Sequence, residues 1–458
     1  MRWAYFTLFI ALFTYLFWSR LFPLDDAYIT LSNARTMLSG QLDPVYQTPY
    51  LTGATSTVHL LLVALLMLFI PPIWAPLVLG LCGAVLYYFA LVTITERTGL
   101  IGWRKQFLVI GGMVCAYLPF HYLNGLETSL AVAASAWMFL WSDDRRRLPI
   151  LAGLAPFLRP ELGLFSLLLL LRLVFRSNSR QIAYIVASAA LAALPWAIWT
   201  FAEVGAFIPS TIAAKLAWFH PQPLSLIIRA AATLHFLMVA LQLPLFIGLA
   251  GLPRLPGGCA ATAFVALGIL VSAAVMPDIV DWNFGRYDAI YVPLLVAGIA
   301  ALATDRTRVI NSIVLAFFIW SLASAALAMT AYLRETELAR RVEAQAKFVA
   351  QLPASSIVLI HDAGQVAWQA PKAKLVDVVG LKTPAIVPIN RKLIRGNCER
   401  QKALDAIAHR YSATHLVVLN RWAWPCIAVD LRRAGWMLRP IYSNLYTVYE
   451  ITPPDKRG

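Results

Sequence analysis

Apolar residues gather in long runs over the first three quarters of the chain. In the last quarter no run reaches the roughly 20 residues that a helix needs to cross a bilayer. The first run, Trp3–Phe22, is longer than a signal-peptide core and reads as an uncleaved span. Ten more follow near 76–95, 106–122, 126–142, 148–158, 160–176, 181–202, 229–250, 259–276, 286–304 and 308–332. A further run, Val58–Ile73, ends in Pro71-Pro72; it is short for a span and suits a helix lying at the interface. Past Arg334 the pattern becomes mixed charge at helical spacing, YLRETELARRVEAQAKF. The expected architecture is a polytopic α-helical membrane protein with about eleven transmembrane helices over 1–334. A water-soluble domain over 335–458 completes it. In that domain Ser356–His361 and Thr414–Asn420 read as buried strands and Arg391–Tyr411 as helical, which predicts a small α/β sandwich.

Composition agrees. The chain is 60% hydrophobic and 13% charged, with mean hydropathy +0.69, where a soluble domain carries about 25% charged residues. This excludes an ordinary soluble enzyme, a disordered chain and a basic nucleic-acid-binding domain, so membrane lipids are expected partners and nucleic acid is not. The net charge of +15 is spread as 20 Lys and Arg against 13 Asp and Glu in 1–334, and 18 against 10 beyond. Lys and Arg in short loops set orientation. If 58–73 does not cross and the N-terminus is cytoplasmic, Arg97, Arg104, Lys105, Arg145, Arg146, Arg147, Arg172, Arg176 and Arg180 all lie inside. Crossing at 58–73 would put the clusters at 97–105 and 145–147 outside. The soluble domain then lies outside, in a bacterial periplasm or its equivalent. Cys82, Cys115 and Cys259 sit in apolar runs; Cys398 and Cys426, in the soluble domain, read either as a pair or as two free thiols.

This topology collects ionisable residues at one membrane border. Asp25 and Asp26 directly follow the first span, where adjacent carboxylates are costly beside lipid and point to function. A helix N-cap is the alternative. Tyr28 follows, and Thr55 and Ser56 lie in the small polar segment Tyr50–Thr57, which suits close approach to a ligand or an ordinary turn. Glu127 opens the next outer segment, as a helix-start carboxylate or a second acid. Arg159 and Glu161 flank Pro160, which explains the break in the apolar run but not its charges. Lys215 and Arg286, the latter beside Tyr287, either snorkel to headgroups or clamp a phosphate.

The ordered set LDDAYITLSNARTMLSG, TGATS, NGLET, FLRPELG, FIPSTIAAKL and FGRYDAIYVPLL resembles GT-C fold membrane glycosyltransferases. The closest resemblance is to the AftB terminal arabinofuranosyltransferases of mycobacteria and their wider relatives. The family's RPEG stands here as RPELG. The resemblance extends to Ile360–Gly364 and to Val376–Leu381 with the following Lys-Thr-Pro. It implies inverting transfer of a sugar, an arabinofuranose-like pentose or a hexose, from a polyprenyl-phosphate donor. The acceptor would be a hydroxyl of a cell-envelope glycan or glycolipid. By the resemblance, Asp25 or Asp26 is the general base, and the doublet would raise the pKa of one of them. Lys215, Arg286 and Arg159 would hold the departing phosphate, and Glu127 would orient the acceptor or tune the doublet. Glu161, Tyr28, Thr55, Ser56 and Tyr287 would complete the substrate site. A divalent cation (Mg, Mn or Ca) bridging Asp25 and Asp26 to the phosphate fits some such enzymes and not others.

In the soluble domain Trp422, Trp424 and Trp436 suit an anionic or sugar acceptor, or a packing lid; His361-Asp362 reads as structural. Two other classes are open to such a chain. A lipid-linked sugar transporter or flippase would show inverted repeats and ionisable groups near mid-membrane, whereas these cluster at one border. A non-catalytic assembly subunit has no need of the Asp doublet.

Overall fold

The computed structural model describes residues 21–207, 209–219, 225–241, 243–275, 283–305, 307–396, 398–421 and 424–454. All but the end of the span expected at Trp3–Phe22, and Trp422, lie outside them.

The apolar runs are helices. Among the described residues Trp74–Arg97, Ser179–Val204, Gly258–Val275 and Arg308–Ala350 are each long and apolar enough to cross a membrane. Shorter apolar helices cover Thr57–Met67, Thr128–Leu140, Arg147–Leu158, Leu162–Val174 and Ala289–Leu302. Several stop early for local reasons. The run expected at 106–122 breaks after Val114, where Ala116 and Tyr117 take φ of 51° and 58°. Helices pack through small hydroxyls as well as apolar surface: Ser129 Oγ donates to Gly80 O at 2.7 Å and Ser135 Oγ to Ile290 O at 2.7 Å. Ser179–Val204 exposes apolar side chains around almost its whole girth, Leu191 at 72% among them, a surface that suits lipid rather than water. Thr57–Met67 starts at Ser56, whose side chain accepts from His59 N.

The last of the long apolar helices, Arg308–Ala350, runs unbroken through Arg334 for 43 residues, about 65 Å at 1.5 Å per residue. Its far end buries Val342, Ala346 and Val349 in the core of the C-terminal domain. That core is a five-stranded sheet of β1 (Ile357–Ile360), β2 (Lys374–Asp377), β3 (His415–Leu419), β4 (Met437–Ser443) and β5 (Tyr446–Thr452), in the order β2-β1-β3-β5-β4. β1 pairs in parallel with β2 and β3; β5 pairs antiparallel with β3 and β4. β3 is buried at every position, as a central strand covered on both faces must be. The helix expected over Arg391–Tyr411 is two helices, Val387–Leu393 and Gln401–Arg410. The stretch between them turns at Cys398 (φ 57°), which is disulfide-bonded to Cys426.

The two parts interlock. The core of the C-terminal domain takes in Ile29 from the Asp25–Ser39 helix and Val45 and Tyr46 from the stretch after it. It also takes in Ala214, Ala217 and Trp218 from the helix Ser210–Trp218.

Candidate active site

Where the parts meet, a cleft opens between the Asp25–Ser39 helix, the loop 53–56, the Ser210–Trp218 helix and the turn before Ala289. Asp26, Thr55, Ser56, Glu127, Lys215 and Arg286 line it, and Leu381 of the C-terminal domain forms part of its wall.

Its ionic groups alternate in sign. Arg286 is 4% exposed; its Nη1 donates to Asp26 Oδ2 at 2.7 Å and its Nη2 to Glu127 Oε1 at 2.9 Å. Arg159, fully buried, donates to the same Glu127 oxygen at 3.2 Å. It also donates to both oxygens of Glu161, at 3.2 and 3.1 Å. The row Asp26–Arg286–Glu127–Arg159–Glu161 therefore compensates charge that would be prohibitive to bury singly. Lys215 differs. Its Nζ donates to the Tyr287 hydroxyl at 2.9 Å, and among the described residues no carboxylate lies in ion-pair contact with it. Tyr287 is the hub of the cations: Arg159, Lys215 and Arg286 lie 4.9, 5.6 and 5.8 Å from its ring centre.

Adjacent Asp25 and Asp26 have different surroundings. Asp25 Oδ2 accepts from Gly364 N at 2.7 Å and Oδ1 from Gln365 N at 2.6 Å, both in the C-terminal domain. Gly364 allows this approach, since a Cβ there would stand 2.1 Å from Asp25 O. Burial and the nearby Asp362 carboxylate push Asp25 well above the ordinary carboxylate range, against the pull of the two amides. Burial would raise Asp26 as well, but Lys215 and Arg286 outweigh it and hold Asp26 below its usual value.

The remaining expected residues are also located. Thr55 Oγ1 lies 3.3 Å from Thr211 Oγ1, and Ser56 Oγ donates to Phe157 O at 3.2 Å, so both pin the loop beneath the cleft. Tyr28 is buried; its hydroxyl accepts from Phe22 N at 3.0 Å and it does not line the cleft. His361, buried, packs against Trp424 with ring centres 4.1 Å apart and planes tilted by 35°. The Tyr446 hydroxyl donates to Asp362.

Other residues had no assigned role in the sequence. His121 Nε2 lies 3.1 Å from Phe284 O, and Asn124 Nδ2 lies 3.2 Å from His121 Nδ1. They hold a turn in which Asn283 and Phe284 take φ of 55° and 62°, strained values for side-chain-bearing residues. That turn delivers Arg286. The available signal was a His and an Asn three apart in an apolar stretch, HYLNG. Lys382 stood in the segment that carries the resemblance, with no role assigned to it.

Among the described residues no group of three His, Cys, Asp or Glu side chains converges as a metal site. Both Asp25 oxygens accept from backbone amides of the C-terminal domain and Asp26 Oδ2 from Arg286, so this donor set does not fit a divalent cation shared by the two.

No protein-family model matches the chain, and no curated protein matches it in sequence. Solved structures do match. The structure of ArnT from Cupriavidus metallidurans bound to undecaprenyl phosphate superposes with TM-score 0.58 over 97% of this chain and 98% of that one, at 11% identity. Its apo state gives 0.55 over 97% of each chain, at 12% identity. The mycobacterial arabinofuranosyltransferase AftD gives 0.49 at 14% identity, over 98% of this chain and 41% of that one. The likeness to ArnT along nearly the whole of both chains establishes a shared fold, the GT-C membrane fold.

Proposed function

We propose that this chain is an inverting glycosyltransferase that moves a sugar from a polyprenyl-phosphate donor to an acceptor hydroxyl, with the cleft around Asp26 as its catalytic site. The observation that carries this reading is the polarity of the cleft. An ionised carboxylate, Asp26, faces it together with a lysine, Lys215, that has a neutral partner. At Ala54 and Thr55 the cleft adjoins an apolar hollow lined by Leu51, Phe157, Val204 and Phe207. A polyprenyl chain suits the hollow and its phosphate suits Lys215 and Arg286. The ArnT structure with undecaprenyl phosphate supports such a donor.

In the reaction an acceptor hydroxyl gives its proton to Asp26 as its oxygen attacks the anomeric carbon. The bond from that carbon to the phosphate oxygen breaks, and the electron pair leaves with the phosphate. Lys215 and Arg286 stabilise the growing charge. Arg159 acts at one remove: it compensates Glu127, which in turn fixes the Arg286 guanidinium. One displacement inverts the anomeric centre. No step is routed through a metal.

The reading includes eleven spans over 1–334, with 58–73 at the interface, a cytoplasmic N-terminus and 335–458 on the outer face of a bacterial inner membrane. The Cys398–Cys426 disulfide supports an oxidising side for that domain. The sugar would be an arabinofuranose-like pentose or a hexose, and the acceptor a cell-envelope glycan or glycolipid.

The test is transfer by purified protein in nanodiscs, offered a panel of polyprenyl-phosphate sugars and envelope acceptors. Transfer with anomeric inversion, lost in folded Asp26→Asn, is the expected result. Donor binding without transfer to any acceptor would instead favour a flippase or assembly role.

A further inference from the structure

The C-terminal domain buries a lysine inside the membrane domain's outer segment. Lys382 is 0% exposed. Its Nζ donates to Asn33 Oδ1 at 2.6 Å and to Thr52 O at 3.2 Å, and pairs with Asp43 Oδ2 at 3.0 Å. Asn33 Nδ2 donates to the same Thr52 carbonyl at 3.1 Å. Thr52 is the residue before the 53–56 loop that lines the cleft. The lysine stem lies along that loop as well: a Cβ on Gly53 would stand 2.9 Å from Lys382 Cδ, and Gly53 has φ of 81°. Lys382 is itself held firmly. Asp377 accepts from Val379 N at 2.9 Å and from Lys382 N at 2.8 Å, which closes the turn that carries Leu381 into the cleft wall.

A charge so deeply buried is retained only with full compensation. Asp43 supplies the charge, so the bonds to Thr52 O and Asn33 are additional to what neutralisation requires. They tie the C-terminal domain to the floor of the cleft.

We propose that Lys382 is a positioning residue for the reaction: it sets the 52–56 loop against which the donor lies, so the C-terminal domain is a working part of the active site and not a lid. This rests on the reading of the cleft as a donor site. Two expectations follow. Removing Lys382 raises the donor KM, because the loop lines the donor's place. A lysine that merely stabilised the fold would lower the amount of active enzyme and leave KM unchanged.

The experiment compares wild type, Lys382→Met and Lys382→Met/Asp43→Asn, all full length in nanodiscs. The double variant removes the stranded buried carboxylate, so it melts near wild type even where the single variant folds poorly. Its donor KM stays raised by about tenfold or more, the scale on which small misplacements act. Hydrogen exchange of the amides in 50–56, read by mass spectrometry, is faster than in wild type. A double variant with wild-type KM, or with wild-type exchange over 50–56, overturns the proposal. The exchange measurement needs no turnover. If wild type transfers no sugar from any donor, the enzymatic reading fails while the anchoring of the loop by Lys382 is still decided.

Discussion

Asp25 and Asp26 open one helix, yet they belong to two regions built on different terms. On the cleft side, Asp26 begins a row of alternating charges whose members all come from the membrane domain. On the other side lies the seam between the domains, where Asp25 meets backbone amides of the C-terminal domain and Lys382 meets Asp43. The reason is geometric. Consecutive side chains on a helix point about 100° apart, and here Asp25 turns to the amides of Gly364 and Gln365 while Asp26 turns to Arg286. In the cleft Lys215 has a neutral hydrogen-bond partner, whereas at the seam Asp25 and Lys382 are met by charged and polar groups of the other domain. On the proposed reading, chemistry belongs to the cleft and geometry to the seam that holds it.

The sharpest way to break this contrast is to neutralise each carboxylate in turn. Asp26→Asn removes the proposed base and should lower kcat by about 10²–10⁴-fold, with donor binding retained. Asp25→Asn places an amide NH2 where one of two N–H donors now binds. It should cost about 1–3 kcal/mol of stability, read as a lower melting temperature, and reduce kcat far less. Equal losses of kcat in two well-folded variants would merge the two regions into one dyad. The pH profile separates them again. Asp26 is held below the usual carboxylate value of about 4, so its ionised form persists to lower pH. The acid limb of kcat/KM, which reports the free enzyme, should lie below that value. A limb above pH 5 would assign the base to a group with a raised pKa, such as Asp25.

Lys215→Met should act next most strongly. Its ammonium is the cleft cation whose hydrogen-bond partner is neutral, and a charged hydrogen bond to phosphate is worth about 1.5–3 kcal/mol. Donor kcat/KM should fall by about 10–100-fold, with the fold intact because no buried carboxylate is left unpaired. Arg159→Met should instead strand Glu127 and Glu161 and destabilise the protein. Melting temperatures and donor titrations of the two variants distinguish a ligand cation from a structural one.

What the sequence made legible follows from this division. Residues in and behind the cleft announced themselves because an ionisable group beside an apolar run is conspicuous: Glu127, Arg159 and Arg286 each stood out in this way, although each also had a structural explanation. The strands at Ser356–His361 and Thr414–Asn420 were readable because strands buried on both faces carry uninterrupted apolar residues. β4 was not, because MLRPIYS at a half-exposed edge mixes Arg, Pro and Ser with apolar residues. Of the seam residues, Asp25 stood out for a different role and Lys382 was given none. A lysine in a soluble domain looks solvated, and the partner that reveals Lys382 as buried lies 349 positions away, at Asn33. Nor does adjacency in sequence reveal that Asp25 and Asp26 face different ways, since that depends on which elements pack against their helix.

The smallest effect on catalysis is expected at the Cys398–Cys426 disulfide. It closes a sequence separation of 28 residues with Cα atoms 5.1 Å apart, and loop-closure entropy makes such a link worth about 3–4 kcal/mol. Its loop nevertheless touches the membrane domain. Arg400 donates from Nη2 to Trp218 O at 3.3 Å and lies 4.5 Å over the Trp218 ring, on the helix that carries Lys215. The pair Cys398→Ser/Cys426→Ser should therefore lower the melting temperature clearly. Donor KM at a permissive temperature should stay within about threefold of wild type, since Trp218 remains packed in the C-terminal core without the crosslink. A KM shift as large as that of Lys382→Met would show that the disulfide loop helps set Lys215, and would extend the seam's positioning role across the whole C-terminal domain.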